Sequence, residues 1–435
     1  MVNSNPRWIA LQALLQLLDR GRSLDDIFNS DWFQSLPAEK RNISLSRELV
    51  SGLCRWHGLL KPLLDSRMQK PLRARDLDIE VILLLGLYQL LVMKTDAHAA
   101  VNETVKLAQK QKKGWARGLI NGVLRQLIRD RVEVDKADLA KAYPDWMLAR
   151  IRRDWGDQAD QALLAGNARA PMTLRVATRQ LSIEDCIDLL GQQDMTATPS
   201  DYVSSAVMLD VPCDVALLPG FASGKLSVQD AAAQIAAGLL DCVPGMRVLD
   251  ACAAPGGKTA HLLQITDSLE LDALDQSETR LQRVQSNLQR IDKKAQLLVG
   301  DATDPADWFN GETYDRILAD VPCSASGVIR RNPDIKLLRR ESDIMPLLRQ
   351  QRQILEALWG LLKPGGKMLY STCSIFKDEN EHQIGEFVES HSDCVELPIT
   401  GVSWGESRTH GRQILPGPHD MDGFYYALLQ KEALN

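Results

Sequence analysis

The sequence predicts an α/β protein in which a doubly wound, mostly parallel sheet follows an all-helical domain and a small α+β module. Up to about residue 140, apolar side chains recur at helical spacing, without a sustained strand pattern. From residue 246 onward, strand and helix patterns alternate regularly, which is typical of a doubly wound sheet. The region between them mixes both patterns. We therefore expect three domains, at residues 1–140, 141–235 and 236–435.

The composition is that of a globular protein with a sizeable core. The chain has 435 residues, of which 45% are hydrophobic and 25% are charged. The most apolar segment, Val81 to Met93, is too short to cross a bilayer and is interpreted as a core helix. The start shows no basic leader before an apolar run, and the eight cysteines form no Cys-x-x-Cys pair. We expect a reduced, cytoplasmic protein with no bound metal and no membrane contact.

The first domain is predicted to consist of helices separated by turn formers such as Asp19–Ser23 and Lys112–Gly114. The segments with helical periodicity are 8–18, 47–64, 80–93, 101–111 and 118–130. In the second domain, residues 173–179 and 205–211 suit strands, and residues 183–193 suit a helix. A further helix is expected over 231–241.

The third domain carries the alternating pattern. The predicted strands are 246–252, 269–275, 295–301, 314–322 and 366–373, and the predicted helices are 257–265, 279–291 and 344–362. In such a sheet, ligands bind in the crevice beyond the carboxyl ends of the strands. Carboxylates and thiols follow those ends, namely Asp250, Asp275, Asp301, Asp320 with Cys323, and Cys373.

The turn after the first of these strands, "LDACAAPGGKTA" (Leu249 to Ala260), indicates what the crevice holds. A phosphate-binding loop would need glycine at the position of Cys252, and a Gly-x-Gly-x-x-Gly fingerprint is also missing. Asp275 lies about 20 residues beyond the turn, where a carboxylate can accept hydrogen bonds from ribose hydroxyls. The other carboxylates favour a cationic nucleoside, so S-adenosylmethionine fits better than a polyphosphate. Any one of these aspartates could instead merely cap a turn or a helix start.

Cys323 and Cys373 follow separate strands, and each precedes a serine. A buried cysteine is often only a small apolar side chain. Two in one crevice suit covalent catalysis on cytosine, because a thiolate added to carbon 6 makes carbon 5 able to attack an electrophilic methyl group. The proton on carbon 5 then leaves and the thiol is expelled. The residues alone do not tell which cysteine attacks.

Taken together, these motifs resemble the Sun-type family of RNA cytosine-5 methyltransferases, which have a Rossmann-like, S-adenosylmethionine-dependent methyltransferase domain. The matching segments, in chain order, are "DACAAPGGKT", "LDALD", "GDATDP", "ADVPCSASGVIRRNPDIK" and "STCSIFKDENE". The helical start resembles NusB, through "VNETVKLAQK" and "ARGLINGVLR". The resemblance covers nearly the whole chain. It departs at Val321, where the family often has alanine, and at Phe376–Asp378, where relatives usually have a proline.

The resemblance implies a substrate and a role for each motif. It implies methylation of carbon 5 of a cytosine in small-subunit (16S) ribosomal RNA by a protein that we expect to be monomeric. It also implies that the NusB-like domain and the small module bind RNA. Cys373 would be the nucleophile, Cys323 would help release the product, and Asp320 would lie beside the sulfonium and the cytosine. The cofactor would be held by Cys252, Ala253, Ala254, Pro255, Gly256, Gly257 and Lys258, with Asp275 on the ribose, Asp301 near the adenine, and Asp320.

Two basic stretches qualify the overall charge of −6. Residues 323–352 contain seven basic and three acidic side chains, and residues 109–117 form a second stretch. Either one alone is usually a solvated helix face. Because Arg330 and Arg331 follow the Cys323 motif, we expect them to hold RNA phosphates at the crevice mouth, so that neutralising both weakens RNA binding and flattens its salt dependence.

Three other functions stay open at this point. A non-catalytic NusB-like RNA-binding or assembly factor could carry a relic methyltransferase fold, which would not bind the cofactor. A nucleotidase or kinase reading of "GGKT" is disfavoured by Cys252. An amino-group methyltransferase would need no thiol, and the motif Asp320–Cys323 differs from the proline-rich one of that class.

Overall fold

The computed structural model describes residues 4–134 and 142–433. The helices are α1 (Pro6–Arg20), α2 (Leu24–Phe28), α3 (Asp31–Gln34), α4 (Lys40–Ser66), α5 (Leu77–Leu87), α6 (Ala97–Lys110), α7 (Ala116–Arg129), α8 (Asp145–Trp155), α9 (Ala159–Asn167), α10 (Ile183–Gly191), α11 (Ala231–Leu240), α12 (Gly257–Ile265), α13 (Glu278–Arg290), α14 (Ile335–Leu338), α15 (Ile344–Leu361) and α16 (Glu381–Ser390).

The strands are β1 (Met172–Val176), β2 (Ala197–Pro199), β3 (Ala206–Leu209), β4 (Leu226–Val228), β5 (Arg247–Ala251), β6 (Glu270–Asp275), β7 (Gln296–Val299), β8 (Tyr314–Asp320), β9 (Leu362–Thr372), β10 (Cys394–Leu397), β11 (Glu406–Ser407), β12 (Arg412–Ile414) and β13 (Phe424–Lys431). The chain divides into two compact units. Of the described residues, the helical unit comprises 4–134, 142–168 and 329–341, and the sheet unit comprises 169–328 and 342–433.

The helical unit is built around α5, whose residues from Ile79 to Leu87 are almost all fully buried. A helix that is apolar all round needs neighbours on every side, and α1, α4, α6 and α7 supply them. The prediction that the segment from Val81 forms a core helix is confirmed, although a wider helical turn, Tyr88–Val92, continues α5 at its end. The other four helices predicted for this region are confirmed as well.

Local signals set where these helices begin and end. The side chain of Asn5 accepts hydrogen bonds from the N–H groups of Arg7 and Trp8, which opens α1. Gly21, with φ of 66°, closes it, because only glycine adopts this left-handed conformation at little cost. Helices α8 and α9 belong to the helical unit by their contacts, whereas the sequence placed residues 141–168 with the small module.

The sheet unit contains two sheets. The smaller one is antiparallel with the order β2-β3-β1-β4, and with α10 it forms the predicted α+β module. In the larger one, β7, β6, β5, β8 and β9 are parallel neighbours in that order, and β13 continues the sheet antiparallel to β9. The five parallel strands are the ones predicted. Strands β10 to β13 have no counterpart in the prediction.

The strand order places the ligand crevice. β5 lies between β6 and β8, so the chain crosses from one side of the sheet to the other after β7. The carboxyl ends of β5, β6, β8 and β9 therefore meet around this switch point, where open α/β sheets bind their ligands. The predicted doubly wound fold is confirmed.

Candidate active site at the carboxyl edge of the sheet

The turn between β5 and α12 is held against the end of β6. The N–H of Ala253 donates to the carbonyl of Leu274 (2.8 Å), and the N–H of Ala254 donates to Asp275 Oδ2 (3.2 Å). Cys252 and Gly256 have φ values of 62° and 94°. A Cβ added at Gly256 would lie 3.0 Å from the Cα of Val284 on α13. The close approach of α13 to the turn therefore requires glycine at position 256.

Asp275 is buried at the end of β6 and organises the turn. Besides Ala254, its carboxylate accepts hydrogen bonds from the N–H of Ser277 (3.0 Å) and from Arg280 Nη1 (3.3 Å). Arg280 Nη2 also donates to the carbonyl of Ala254 (3.0 Å). Asp301, after β7, is exposed, and its carboxylate accepts hydrogen bonds from the N–H and the hydroxyl of Thr303, both 2.8 Å. Desolvation opposes ionisation of Asp301, but these hydrogen bonds outweigh it and lower its pKa.

A lysine pairs with the carboxylate at the end of β8. Lys258 Nζ lies 2.6 Å from Asp320 Oδ2, and the hydroxyl of Ser371 donates to Asp320 Oδ1 (2.7 Å). Burial acts to lower the pKa of Lys258, but the charge of Asp320 and the sulfur of Cys373 outweigh it, so this pKa is raised. Lys258 therefore stays a cation in the crevice, whereas sequence reasoning placed it only on the cofactor loop.

Asp250, near the end of β5, is a buried acid like Asp275. Its carboxylate accepts a hydrogen bond from the hydroxyl of Thr259 (2.6 Å), and it is 1% exposed. Desolvation raises the pKa of Asp250 to about 7, helped by the nearby charges of Asp320 and Asp275.

The two predicted catalytic cysteines are brought together. The Sγ atoms of Cys323 and Cys373 lie 3.5 Å apart. Cys323 is buried and Cys373 is half-buried. The hydrogen bond with Cys373, together with burial, raises the pKa of the Cys323 thiol well above its usual range. The arrangement can therefore present two sulfur atoms to one small planar ring.

A buried glutamate lies behind the cysteines and was missed by sequence reasoning. Glu379 is fully buried and accepts hydrogen bonds from both residues that follow the cysteines, Ser324 and Ser374. Its only signal in the sequence was the acidic run "KDENE", which resembles a solvated turn.

The predicted RNA-binding arginines belong to a different compact unit from the other predicted site residues. Arg330 and Arg331 precede α14 and belong to the helical unit. Arg330 is only 4% exposed, and its carbonyl accepts a hydrogen bond from Arg55 Nη2 (2.9 Å). Burial leaves Arg330 little surface for a phosphate, so its position does not favour the predicted contact. Arg331 is partly exposed.

Residues 4–134 and 142–433 contain no cluster of three or more histidine, cysteine, aspartate or glutamate side chains able to hold a metal ion. None of the helices described there is both long and apolar enough to cross a membrane.

Comparison with known proteins gives matches along the chain. A family model described as 16S rRNA methyltransferase RsmB/F matches residues 237–430, a NusB family model matches residues 4–129, and a model of the ferredoxin-like domain of RsmF/B-like methyltransferases matches residues 143–216. The ribosomal RNA small subunit methyltransferase B of Vibrio cholerae is 44% identical over 433 residues, which cover 98% of each chain.

Solved structures share the architecture. The crystal structure of PH0851 superposes with a TM-score of 0.82 and 24% identity, over 99% of this chain and 98% of that one. The NSun6 protein from Pyrococcus horikoshii, crystallised with SFG, gives a TM-score of 0.60 at 20% identity, over 66% of this chain and 98% of that one. At these identities, the similarity shows a shared fold only.

Proposed function

Because this chain belongs to the RsmB/F family of 16S rRNA methyltransferases, we propose that it methylates carbon 5 of a cytosine in small-subunit rRNA through a covalent bond to Cys373. That it is an rRNA methyltransferase with a Rossmann-like catalytic domain, a NusB-like domain and S-adenosylmethionine as its cofactor follows from the family. The cytosine chemistry and the residue roles are the proposal. We further propose that the chain acts as a monomer in the cytoplasm.

The residues at the switch point fit S-adenosylmethionine. Asp275 and Asp301 follow neighbouring strands beside the turn, which suits a ribose and a base, and the partly exposed Asp320 suits a positive charge. The backbone of residues 252–258 leads into the amino end of α12, which favours a carboxylate. When bound, the cofactor supplies an electrophilic methyl group. We assign its binding to Cys252, Ala253, Ala254, Pro255, Gly256, Gly257, Lys258, Asp275, Asp301 and Asp320.

The observation that carries the cytosine proposal is the distance of 3.5 Å between the sulfur atoms of Cys323 and Cys373. Methyl transfer to an amino group needs no thiol, whereas carbon 5 of cytosine needs a nucleophile on carbon 6. In the proposed reaction, the Cys373 thiolate bonds to carbon 6, and carbon 5 takes the methyl group. A proton acceptor in the crevice then removes the proton from carbon 5, and the bond between the sulfur and carbon 6 breaks. Cys323 assists that release, and Asp320 accepts a hydrogen bond from the cytosine.

The test uses small-subunit rRNA with tritium on carbon 5 of its cytosines, counting tritium released to water. We expect release that requires S-adenosylmethionine. Cys373→Ala should abolish it, because no covalent adduct can form. Cys323→Ala should instead accumulate an RNA–protein adduct that survives denaturation, because attack continues while release slows.

Cys394→Ala is the matched control. This buried thiol lies on β10, where Cys394 pairs with Lys431 at the carboxyl end of β13. It should release tritium like the unaltered protein. No release by the unaltered protein, from free RNA or from ribosomal particles, would exclude the cytosine-5 proposal and favour a non-catalytic RNA-binding factor.

The prediction that the NusB-like domain binds RNA gains support from a basic groove beside α7. The groove has a volume of about 930 Å³ and lies within the helical unit. Its cationic lining residues are Arg67, Lys70, Arg73, Arg75 and Arg129. The indole of Trp115, also in the lining, is 59% exposed. The acidic lining residue Asp76 already pairs with Lys113, 3.0 Å away.

Charge and shape of this groove suit a nucleic acid strand. The segments 66–76 and 109–130, which contribute to the groove, carry ten cationic residues and two acidic ones, Asp76 and Asp130, in a chain whose net charge is −6. Asp130 pairs with Arg67 of the groove lining. Arginines and lysines along a groove neutralise phosphates, and an exposed aromatic ring offers a surface on which a base can stack. We propose that a single-stranded part of the rRNA binds here.

A further inference from the structure

Glu379 lies in the turn between β9 and α16 with its carboxylate fully enclosed. Oε1 accepts hydrogen bonds from the N–H of Ser324 (2.7 Å) and from Gln351 Nε2 (3.1 Å). Oε2 accepts hydrogen bonds from the hydroxyls of Ser324 (2.5 Å) and Ser374. An ionised carboxyl group has about four acceptor positions, so these four uncharged donors fill them. Such complete pairing is what makes a buried charge tolerable.

The donors connect both cysteine-bearing loops to this one carboxylate. Ser324 directly follows Cys323, and Ser374 directly follows Cys373. The loops also contact each other, since the hydroxyls of Ser326 and Ser374 lie 3.1 Å apart. On the outer side of the first loop, Gln351 of α15 donates to the carbonyl of Pro322 (2.9 Å).

We infer that Glu379 is a positioning residue that sets the separation of the Cys323 and Cys373 thiols. The inference rests on the proposed function, in which both thiols act on one cytosine ring. Glu379 is enclosed by Ser324, Ser374 and Gln351, so its carboxylate acts through the two loops rather than on the substrate.

The donor pattern predicts how substitutions differ. Glu379→Ala removes all four acceptor positions and leaves the N–H of Ser324 and the amide of Gln351 without that partner. Glu379→Gln keeps an oxygen for these two donors. Its amide nitrogen then faces the hydroxyls of Ser324 and Ser374, which can rotate to accept hydrogen bonds. Glutamine should therefore preserve the thiol separation, whereas alanine should not. Glu379→Asp, one methylene shorter, cannot reach both loops equally.

The separation of the thiols can be measured without any methylation. A trivalent arsenical such as phenylarsine oxide binds tightly only where two thiols lie side by side, and its affinity for the full-length protein reports their distance. We expect the unaltered protein to bind it and Cys323→Ala to lose this binding. Glu379→Ala should weaken it by about tenfold or more, in keeping with the loss of buried hydrogen bonds. Glu379→Gln should stay near the unaltered protein.

Glu381→Ala is the matched control. Glu381 is also a buried acid, two residues along the chain, but it pairs with Arg408 (3.3 Å) and Lys377 (3.5 Å) rather than with the cysteine loops. It should bind the arsenical normally. If Glu379→Ala does not fold, the aspartate variant takes its place and should lose arsenical affinity while glutamine keeps it.

The kinetics of tritium release give a second measurement, because a residue that only stabilised the fold would not change kcat at unchanged KM. In Glu379→Ala we expect kcat for tritium release to fall while KM for rRNA and cofactor affinity stay unchanged, with partial rescue in Glu379→Gln. Unchanged arsenical affinity in the alanine variant would overturn the inference. So would a glutamine variant that keeps the thiols paired yet is as inactive as alanine, because the charge itself would then be required. An unaltered protein that binds the arsenical but releases no tritium would contradict the proposed function, not the positioning role.

Discussion

At the scale of single residues, Asp250 has the environment with the clearest effect on protonation. It is 1% exposed at the end of β5, and burial raises its pKa to about 7. The hydroxyl of Thr259 donates to it, which offsets part of the desolvation. Near neutral pH, Asp250 is thus divided between its neutral and charged forms, while Lys258 stays charged beside Asp320.

The shift at Asp250 predicts how stability depends on pH. The folded state binds this proton more tightly than the unfolded chain, where the pKa is close to 3.8. The stabilisation is therefore complete below pH 3.8 and is lost as pH rises to about 7. The full difference corresponds to roughly 4 kcal/mol. Compared with Asp250→Asn, the unaltered protein should lose unfolding free energy steadily between pH 4 and 7 in urea titrations.

Asp210 is exposed and directly follows β3 of the small sheet, so Asp210→Asn is the control for this measurement and should give the same curve as the unaltered protein. Parallel curves for the unaltered protein and Asp250→Asn would contradict the raised pKa.

That Cys323 and Cys373 share one crevice could be predicted from their places after two strands of the sheet. Their separation of 3.5 Å and the buried Glu379 behind them could not, because both depend on how loops 50 residues apart meet. What the sequence does carry is the placement of Asp275, Asp320 and Cys373 at strand ends.

At the scale of elements, the turn between β5 and α12 depends on the absence of one side chain. Gly256→Ala would force a side chain onto a residue with φ of 94° and place its Cβ 3.0 Å from the backbone of Val284. A left-handed conformation alone costs roughly 1–2 kcal/mol, and the contact adds to it. We expect a lower free energy of unfolding and weaker binding of S-adenosylmethionine, measured by denaturant titration and calorimetry.

Gly257→Ala is the comparison, because the nearest atom that its Cβ would meet is Gln229 Nε2 at 3.5 Å, an ordinary contact, and Gly257 already begins α12. Gly257→Ala should therefore keep the free energy of unfolding of the unaltered protein. If both variants lost stability equally, the steric account of Gly256 would be wrong.

The elements themselves were predictable to different degrees. The five parallel strands and their helices follow from strong alternation of apolar patterns, and α5 follows from its continuous apolar run. Strands β10 to β13 escaped prediction because distant pairing partners form them. β13 pairs antiparallel with β9, for example Leu428 with Leu369, while β10 and β12 pair with β13 and β11 pairs with β12. The short helices α2 and α3 are fixed by the caps Ser23 and Ser30 rather than by periodicity.

At the scale of the whole molecule, the basic groove beside α7 predicts the salt dependence of RNA binding. Replacing Lys70 and Arg73 with glutamine removes two cations from the groove without adding negative charge. Each lost phosphate contact on a single strand should lower the slope of log affinity against log salt by about 0.7. We expect weaker binding of small-subunit rRNA, a slope reduced by about 1.4, and a raised KM at unchanged kcat. Trp115→Ala should weaken binding without changing the slope.

The control carries the same charge change elsewhere on the helical unit. Arg20 and Arg41 are exposed and do not line the groove. Their double replacement by glutamine should leave the slope nearly unchanged. If both double variants reduced the slope equally, the effect would come from overall charge rather than from the groove.

Helix α14 has a consequence for the order in which the protein is completed during synthesis. It follows β8 in the chain, yet Leu337 and Leu338 contact the core of the helical unit, and Asp334 accepts a hydrogen bond from the N–H of Leu24 (2.9 Å). Because a nascent chain emerges amino end first, the hydrogen bond of Leu24 can form only after Asp334, 310 residues later, has been synthesised. The helical unit is therefore finished only after the Cys323 loop has left the ribosome. A chain that stops before α14 therefore has neither a complete helical unit nor the later strands of the crevice, and it should not accumulate as a partly folded product.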